Sequence, residues 1–160
     1  MIIRALLLTI LSSSLLHAQK DELPKVLILG DSISIGYTPF VQQMLKNEAK
    51  VVRPMQKDGK RPENCSYSAN GVKRIDAWLG DTKWDVIHFN FGLHDLKYIG
   101  QPLPNTKIVA QKGDAIKKNP NAQQLSTIND YVSNLEKIVA RLKKTQAKLI
   151  FCTTTPVPVG

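Results

Sequence analysis

The sequence has little of what a disulfide, a metal centre or a nucleotide cofactor would require. Its 160 residues include only two cysteines, Cys65 and Cys152, and two cysteines so far apart in sequence are a weak indication of a disulfide. We expect two free, largely buried thiols. No group of His, Cys, Asp and Glu residues has the spacing of a metal site, and no glycine pattern typical of a phosphate-binding loop occurs. We therefore expect the protein to use no metal and no other cofactor.

Long hydrophobic runs are missing as well. The apolar stretch at 5–16 is too short for a helix that spans a membrane. With Arg4 before it and the small residue Ala18 behind it, the stretch has the layout of a secretory signal. We expect residues 1–18 to be removed, which leaves 19–160 as an exported, periplasmic or extracellular domain without stable membrane association. An uncleaved amphipathic anchor is the alternative interpretation.

Acidic residues are few relative to basic ones: 13 Asp and Glu stand against 22 Lys and Arg, a formal net charge of +9. A basic excess can indicate a nucleic-acid or anionic-surface partner. Here the lysines are spread along the chain, and no basic segment is interleaved with aromatic residues. We interpret the excess as solvated surface charge and expect no nucleic-acid partner, with a purely electrostatic anion-binding role as the weaker alternative.

What the sequence does contain is an alternation of apolar runs and amphipathic stretches. Four runs predict β-strands, at Lys25–Leu29, Lys50–Val52, Asp85–Phe91 and Lys148–Thr153. Continuous apolar runs are typical of parallel strands that are covered on both faces.

Helices are predicted between these strands. The first has Thr38 as N-cap and Pro39 in its first position, the second covers Gly71–Leu79, and the third covers about 122–144. Residues 96–122 are expected to form a long loop, which in a small domain is usually functional or mobile. The order of elements predicts an α/β protein, a flavodoxin-like three-layer α/β/α sandwich with a parallel sheet.

The strongest candidate for chemistry is Gly30-Asp31-Ser32, directly behind the apolar run 26–29. In open α/β sheets, ligands bind beyond the carboxyl ends of the strands. Serine is a weak nucleophile until a base takes its proton, and acyl transfer also needs donors for the developing oxyanion. Those donors must come from loops at the same edge, and the segments 64–68 and 92–95 follow the next two strands.

These residues also have plainer interpretations. Ser32 could simply cap the following helix, and His94 could be a loop histidine bonded to Asp95 or to a backbone carbonyl. His88 is interpreted as a hydrogen-bonded core histidine rather than a catalytic base. We favour Ser32 as a nucleophile because the other two loops accompany it.

Three segments resemble, in order and spacing, the first three sequence blocks of the SGNH, or GDSL, hydrolase superfamily: Gly30-Asp31-Ser32, Asn64–Gly71 and Gly92-Leu93-His94-Asp95. The resemblance implies that Ser32 is the nucleophile and that its N–H is one oxyanion donor. It implies a second donor at Ser66, where the family usually has glycine (Gly71 is a poorer positional match). It implies a third at His94, which replaces an asparagine. The loops would be organised by Gly30, Asp31, Gly92 and Asp95, the two aspartates accepting backbone N–H groups.

The sequence departs from the family at its end. Family members carry an Asp and a His about three residues apart in a late segment, and no histidine follows His94 here. We therefore expect 19–160 to be an SGNH-like α/β domain that is incomplete at the C-terminus, before the last strand and helix. For the parent protein the resemblance implies a secreted serine hydrolase that cleaves an acyl or acetyl ester of a small molecule or a glycan. The alternative is an inactive or truncated exported module that binds a small or carbohydrate ligand without catalysis.

Overall fold

The computed structural model describes residues 22–99, 110–111 and 123–154. The expected signal at 1–18 and most of the expected loop at 96–122 lie outside these residues. Within them the elements are β1 Lys25–Leu29, α1 Ser32–Met44, β2 Lys50–Val52, α2 Ser68–Leu79, β3 Val86–Phe89, β4 Tyr98–Ile99, β5 Ala110–Gln111, β6 Gln123–Gln124, α3 Ile128–Lys143 and β7 Lys148–Phe151. None of these helices combines the length and apolar character needed to cross a bilayer.

Four strands form a parallel sheet in the order β2-β1-β3-β7. The register aligns Leu27 with Val52, Leu29 with Phe89, and Phe89 with Phe151. The two central strands carry the apolar runs, as burial on both faces requires. The sheet confirms the predicted parallel α/β architecture, and it brings the carboxyl ends of all four strands to one edge, called here the carboxyl edge.

Helices cover the two faces of this sheet. Because side chains alternate along a strand, Leu27 and Leu29 face the large apolar cluster formed with α2 and α3. His88 of β3 is the register partner of Ile28 and faces the opposite side of the sheet. There its ring contacts Tyr37 of α1 edge-on, with 6.0 Å between the ring centroids. The arrangement is the predicted three-layer sandwich.

Close packing between α2 and α3 depends on a glycine. A Cβ atom at Gly71 would lie 2.7 Å from Ile138 Cδ1 and 2.9 Å from Phe91 Cζ, closer than carbon atoms pack. Gly71 therefore has a packing role on the buried face of α2.

The first helix begins six residues before the predicted N-cap. Asp31 is the N-cap, and its Oδ1 accepts the N–H of Ile33 at 2.9 Å. The prediction of Thr38 as cap and Pro39 as first residue is wrong: both lie inside α1, and Thr38 Oγ1 donates to the carbonyl of Ser34 at 2.6 Å. A Thr-Pro pair is typical of a helix start, but Asp31 already caps the helix earlier by accepting the Ile33 N–H.

The starts of two other helices also differ from the prediction. α2 begins at Ser68, before the predicted Gly71. α3 begins at Ile128 behind a capping box of Thr127 and Asp130, rather than near 122.

The described parts of the predicted 96–122 loop include two short strands, β4 and β5. β4 pairs with β5 and β6 in a small antiparallel sheet, with Tyr98 opposite both Gln111 and Gln124. Two-residue strands carry no periodic signal, and their pairing is therefore invisible in the sequence.

Both cysteines are free. Cys65 follows β2 and Cys152 follows β7, so β1 and β3 separate them. Cys65 is fully buried and Cys152 is half-buried. The prediction of two free thiols is confirmed.

Candidate active site

Three loops meet at the carboxyl edge, those that contain Ser32, Ser66 and His94. The N–H of Cys65 donates to the carbonyl of Gly30 at 3.1 Å, which joins the second loop to the first. Ser66 Oγ lies 3.3 Å from His94 Nδ1, which joins the second loop to the third. His94 Nε2 lies 3.9 Å from Asp31 Oδ2. His94 therefore lies between the loop that contains Ser32, the candidate nucleophile, and the loop that contains Ser66.

Ser32 is the first residue of α1 and is exposed. Because Asp31 is the N-cap, the interpretation of Ser32 as a helix cap is wrong. The first N–H groups of a helix have no acceptor inside the helix, and the helix dipole favours negative charge at this end. The backbone N–H of Ser32 is thus placed where an oxyanion can accept from it.

Gly30 allows α1 to start this close to the sheet. A Cβ atom on Gly30 would lie 2.9 Å from both Cβ and Oγ of Ser34. Ser34 is itself buried and donates through Oγ to the carbonyl of Asp31 at 2.7 Å. Any side chain at position 30 would push the start of α1 away, and Ser32 with it.

Ser66 has a φ of +61°, in the left-handed region that favours glycine. This conformation supports the positional match of Ser66 with the glycine of the family's second block, whereas Gly71 is packed against α3. The Ser66 N–H donates to Asn64 Oδ1 at 2.8 Å. An oxyanion that used this N–H would have to replace the Asn64 carbonyl.

The protonation of His94 follows from its neighbours. Lys97 Nζ lies 2.8 Å from His94 Nδ1, and because an ammonium group only donates, Nδ1 is the acceptor. The proton of the neutral ring is then on Nε2, the atom that faces Asp31. Burial, and next the Lys97 charge, lower the pKa of His94, so the ring is neutral at pH 7. His94 thus presents a neutral N–H donor at the carboxyl edge.

Asp95 connects several segments at the carboxyl edge through hydrogen bonds. It is 3% exposed, and its carboxylate accepts from the Ser68 N–H at 3.0 and 3.1 Å and from the hydroxyls of Ser68 and Ser126, each at 2.6 Å. The N-cap residue of α2, Tyr67, makes no side-chain cap bond. Asp95 therefore supplies the N-terminal cap of α2 from a different loop.

Gly92 opens the third loop with a φ of +147°. A Cβ there would overlap Thr154 Oγ1. Both observations require glycine at this position.

Arg53 is the residue of this region that sequence reasoning missed. Its buried guanidinium donates to Ser34 Oγ and Thr38 Oγ1, each at 3.1 Å, and to the carbonyls of Glu63 at 3.0 Å and Gly30 at 3.4 Å. Burial lowers its pKa. In a loop with many charged residues, nothing in the sequence distinguishes this arginine from a solvated one.

Two clefts open beside the site. One, of about 190 Å³, is lined by Asp31, Tyr37, His88 and Cys152 among others. The other, of about 300 Å³, is lined by Asp95 and largely by apolar groups, including Leu96, Ile128, Tyr131 and Phe151. Across the part of the chain that the structure covers, no three His, Cys, Asp or Glu side chains are grouped to hold a metal ion.

The sequence matches no protein-family model and no curated protein. The solved structures that are similar to the chain include two esterases. An acetyl xylan esterase, AlAXEase, has 14% sequence identity and a TM-score of 0.54, and the match covers 80% of this chain and 57% of that one. A carbohydrate esterase family 3 protein from Talaromyces cellulolyticus has 17% identity and a TM-score of 0.49, over 81% and 61% of the two chains.

The chain thus spans about three-fifths of the length of these two proteins. At such identities the likeness concerns the fold alone: the chain shares an α/β fold with the acetyl xylan esterase.

Proposed function

We propose that this chain carries the nucleophile and oxyanion hole of a secreted serine hydrolase of the SGNH/GDSL type, which cleaves an acyl or acetyl ester of a small molecule or glycan. The observation that carries the proposal is the position of His94, 3.9 Å from Asp31 Oδ2 on one side and 3.3 Å from Ser66 Oγ on the other. The fold shared with an acetyl xylan esterase supports the same reaction class.

In this mechanism Ser32 Oγ, at the start of α1, attacks the acyl carbon of the ester. The carbonyl oxygen gains negative charge and accepts from the N–H of Ser32 and the Nε2–H of His94. The Ser66 N–H joins them once Asn64 Oδ1 gives way. A neutral His94 suits this role, since it donates without adding a charge that burial disfavours.

The base that takes the Ser32 proton is not assigned to a residue that the structure describes. His94 is a poor candidate because Nδ1 already accepts from Lys97, which leaves the proton on Nε2. The family resemblance assigns the base to a later His.

Hydrolysis of p-nitrophenyl acetate by the protein expressed from its complete gene tests the proposal. Ser32→Ala should lower kcat/KM by about a thousandfold or more and leave the circular dichroism spectrum unchanged. Ser133→Ala, in the second turn of α3, is the matched control and should keep full activity. Unchanged turnover in Ser32→Ala rejects the nucleophile assignment.

One contact favours the alternative, an exported module that binds a small or carbohydrate ligand without catalysis. The Ser66 N–H is already satisfied by Asn64 at 2.8 Å, which suits a preformed binding loop better than an open oxyanion hole. Calorimetric titration with an acetylated oligosaccharide distinguishes the two: binding without release of acetate supports the module, and acetate release supports the hydrolase.

A further inference from the structure

A thiol and an imidazole lie in contact outside the proposed acyl-transfer machinery. Cys152 Sγ is 2.8 Å from His88 Nε2. His88 lies on β3 and Cys152 directly follows β7, the next strand of the sheet. The backbone of Cys152 is fixed by its own N–H, which donates to the Phe89 carbonyl at 3.0 Å, and by Asn90 Nδ2, which donates to the Cys152 carbonyl at 2.6 Å. The pair is therefore held by the sheet itself.

The pair lines the cleft of about 190 Å³ at the carboxyl edge. Cys152 is half-buried, so its sulfur is both positioned and reachable. Pockets that take drug-sized ligands are larger, from about 300 Å³ upward. The cleft accordingly suits a small molecule of a few heavy atoms.

The second thiol of the chain provides an internal contrast. Cys65 is 0% exposed, and burial raises its pKa to about 12. A thiol of this kind is protonated and shielded at neutral pH, and therefore inert.

His88 can accept the thiol proton. Burial lowers its pKa, which keeps the ring neutral at pH 7. Its buried Nδ1 has no hydrogen-bond partner among the described residues, so no carboxylate holds a charged ring as in a catalytic triad. We expect His88 to act as a general base, which takes the proton of the Cys152 thiol only as the sulfur attacks.

We propose that Cys152 is a covalent modification site for low-molecular-weight disulfides, with His88 as its base. Sγ attacks one sulfur of the disulfide while the thiol proton passes to His88 Nε2. A new S–S bond forms to Cys152, the S–S bond of the disulfide breaks, and the departing thiolate takes the proton from His88. The product is a mixed disulfide in the cleft, which an added thiol reverses.

The modification has a consequence that rests on the proposed function. The cleft is lined by Asp31 and Ile33, the neighbours of Ser32 on either side. A group attached to Cys152 would fill the space beside the nucleophile, and ester hydrolysis should fall in proportion to the fraction modified.

Intact-mass spectrometry of the full chain with hydroxyethyl disulfide tests the site without any activity assay. We expect one adduct, mapped to Cys152 and removed by dithiothreitol, with Cys65 unmodified. Cys152→Ser should give no adduct, and His88→Gln should slow the reaction about tenfold or more.

A second comparison uses no variant: the folded chain should react faster at Cys152 than the urea-unfolded chain at the same pH. The proposal would be overturned if Cys65 were modified in the folded chain. It would also be overturned if Cys152 reacted more slowly in the folded chain than in the unfolded chain. Loss of hydrolysis in Ser32→Ala with no adduct at Cys152 would reject this site alone and leave the hydrolase intact.

Discussion

His94 Nε2 and Asp31 Oδ2 lie 3.9 Å apart, just beyond hydrogen-bond reach, across the gap between the loops that follow β1 and β3. Asp31 accepts the Ile33 N–H through Oδ1, and its other oxygen, Oδ2, lies too far from Nε2 to accept the imidazole proton. The spacing suits a donor that waits for a ligand rather than one satisfied by its own protein.

Replacing His94 by asparagine tests whether the ring acts only as a donor. His94→Asn keeps an N–H donor at the same loop position, so ester hydrolysis should be preserved or increased. The measurement is kcat and KM with p-nitrophenyl acetate, alongside His94→Ala, which removes the donor and should lower kcat about a hundredfold. A collapse of kcat in His94→Asn without unfolding would assign proton transfer to this residue instead.

Arg53 should be essential for stability. Arg53→Met removes the donors to two hydroxyls of α1 and to two backbone carbonyls, and we expect a loss of about 3 kcal/mol in the free energy of unfolding. Urea unfolding measures it. Arg61→Met is the control, since Arg61 is exposed and its ion pair with Asp58 is long at 3.8 Å; its effect should stay within about 0.5 kcal/mol. Equal effects of the two substitutions would contradict the structural role of Arg53.

Two glycines in helices should respond to alanine in opposite directions. Gly71→Ala forces a methyl group into Ile138 and Phe91 and should destabilise the fold by about 1–3 kcal/mol. Gly36→Ala meets no atom within 4 Å in α1 and should stabilise it by about 0.5–1 kcal/mol. Thermal or urea unfolding of the pair gives the sign of each change. A stabilised Gly71→Ala variant would contradict the close approach of α2 and α3.

Stability should depend on pH through two half-buried histidines, His88 and His94. Burial lowers the pKa values of His88 and His94 in the folded chain. At a pH near the ordinary histidine pKa of about 6.5, the unfolded chain therefore binds more protons than the folded chain. Stability is then full above that value and is lost as the pH falls below it. Urea unfolding at pH 7.5, 6.5 and 5.5 measures the trend, and His94→Asn should flatten it. A stability that rises between pH 6.5 and 5.5 would contradict this.

The sheet was predictable because its strands carry apolar runs, and the meeting of the three loops followed from their places behind parallel strands. The start of α1 was not predictable, because both Asp31 and Thr38-Pro39 fit the local pattern of a helix start. The folded chain uses Asp31, the earlier of the two. Asp95 was expected to organise its loop, but its cap on α2 is a long-range contact that no spacing encodes. The burial of Arg53 is equally non-local, since only the folded chain surrounds it with acceptors.

The central claim is that the hydroxyl of Ser32 is the nucleophile at the meeting point of three loops. The most direct measurement is reaction of the protein, expressed from its complete gene, with a fluorophosphonate probe, followed by peptide mapping. A single adduct on Ser32, absent from Ser32→Ala and present in Ser133→Ala, is the expected result. An adduct on another serine, or none in a folded protein that still hydrolyses the ester, would contradict it.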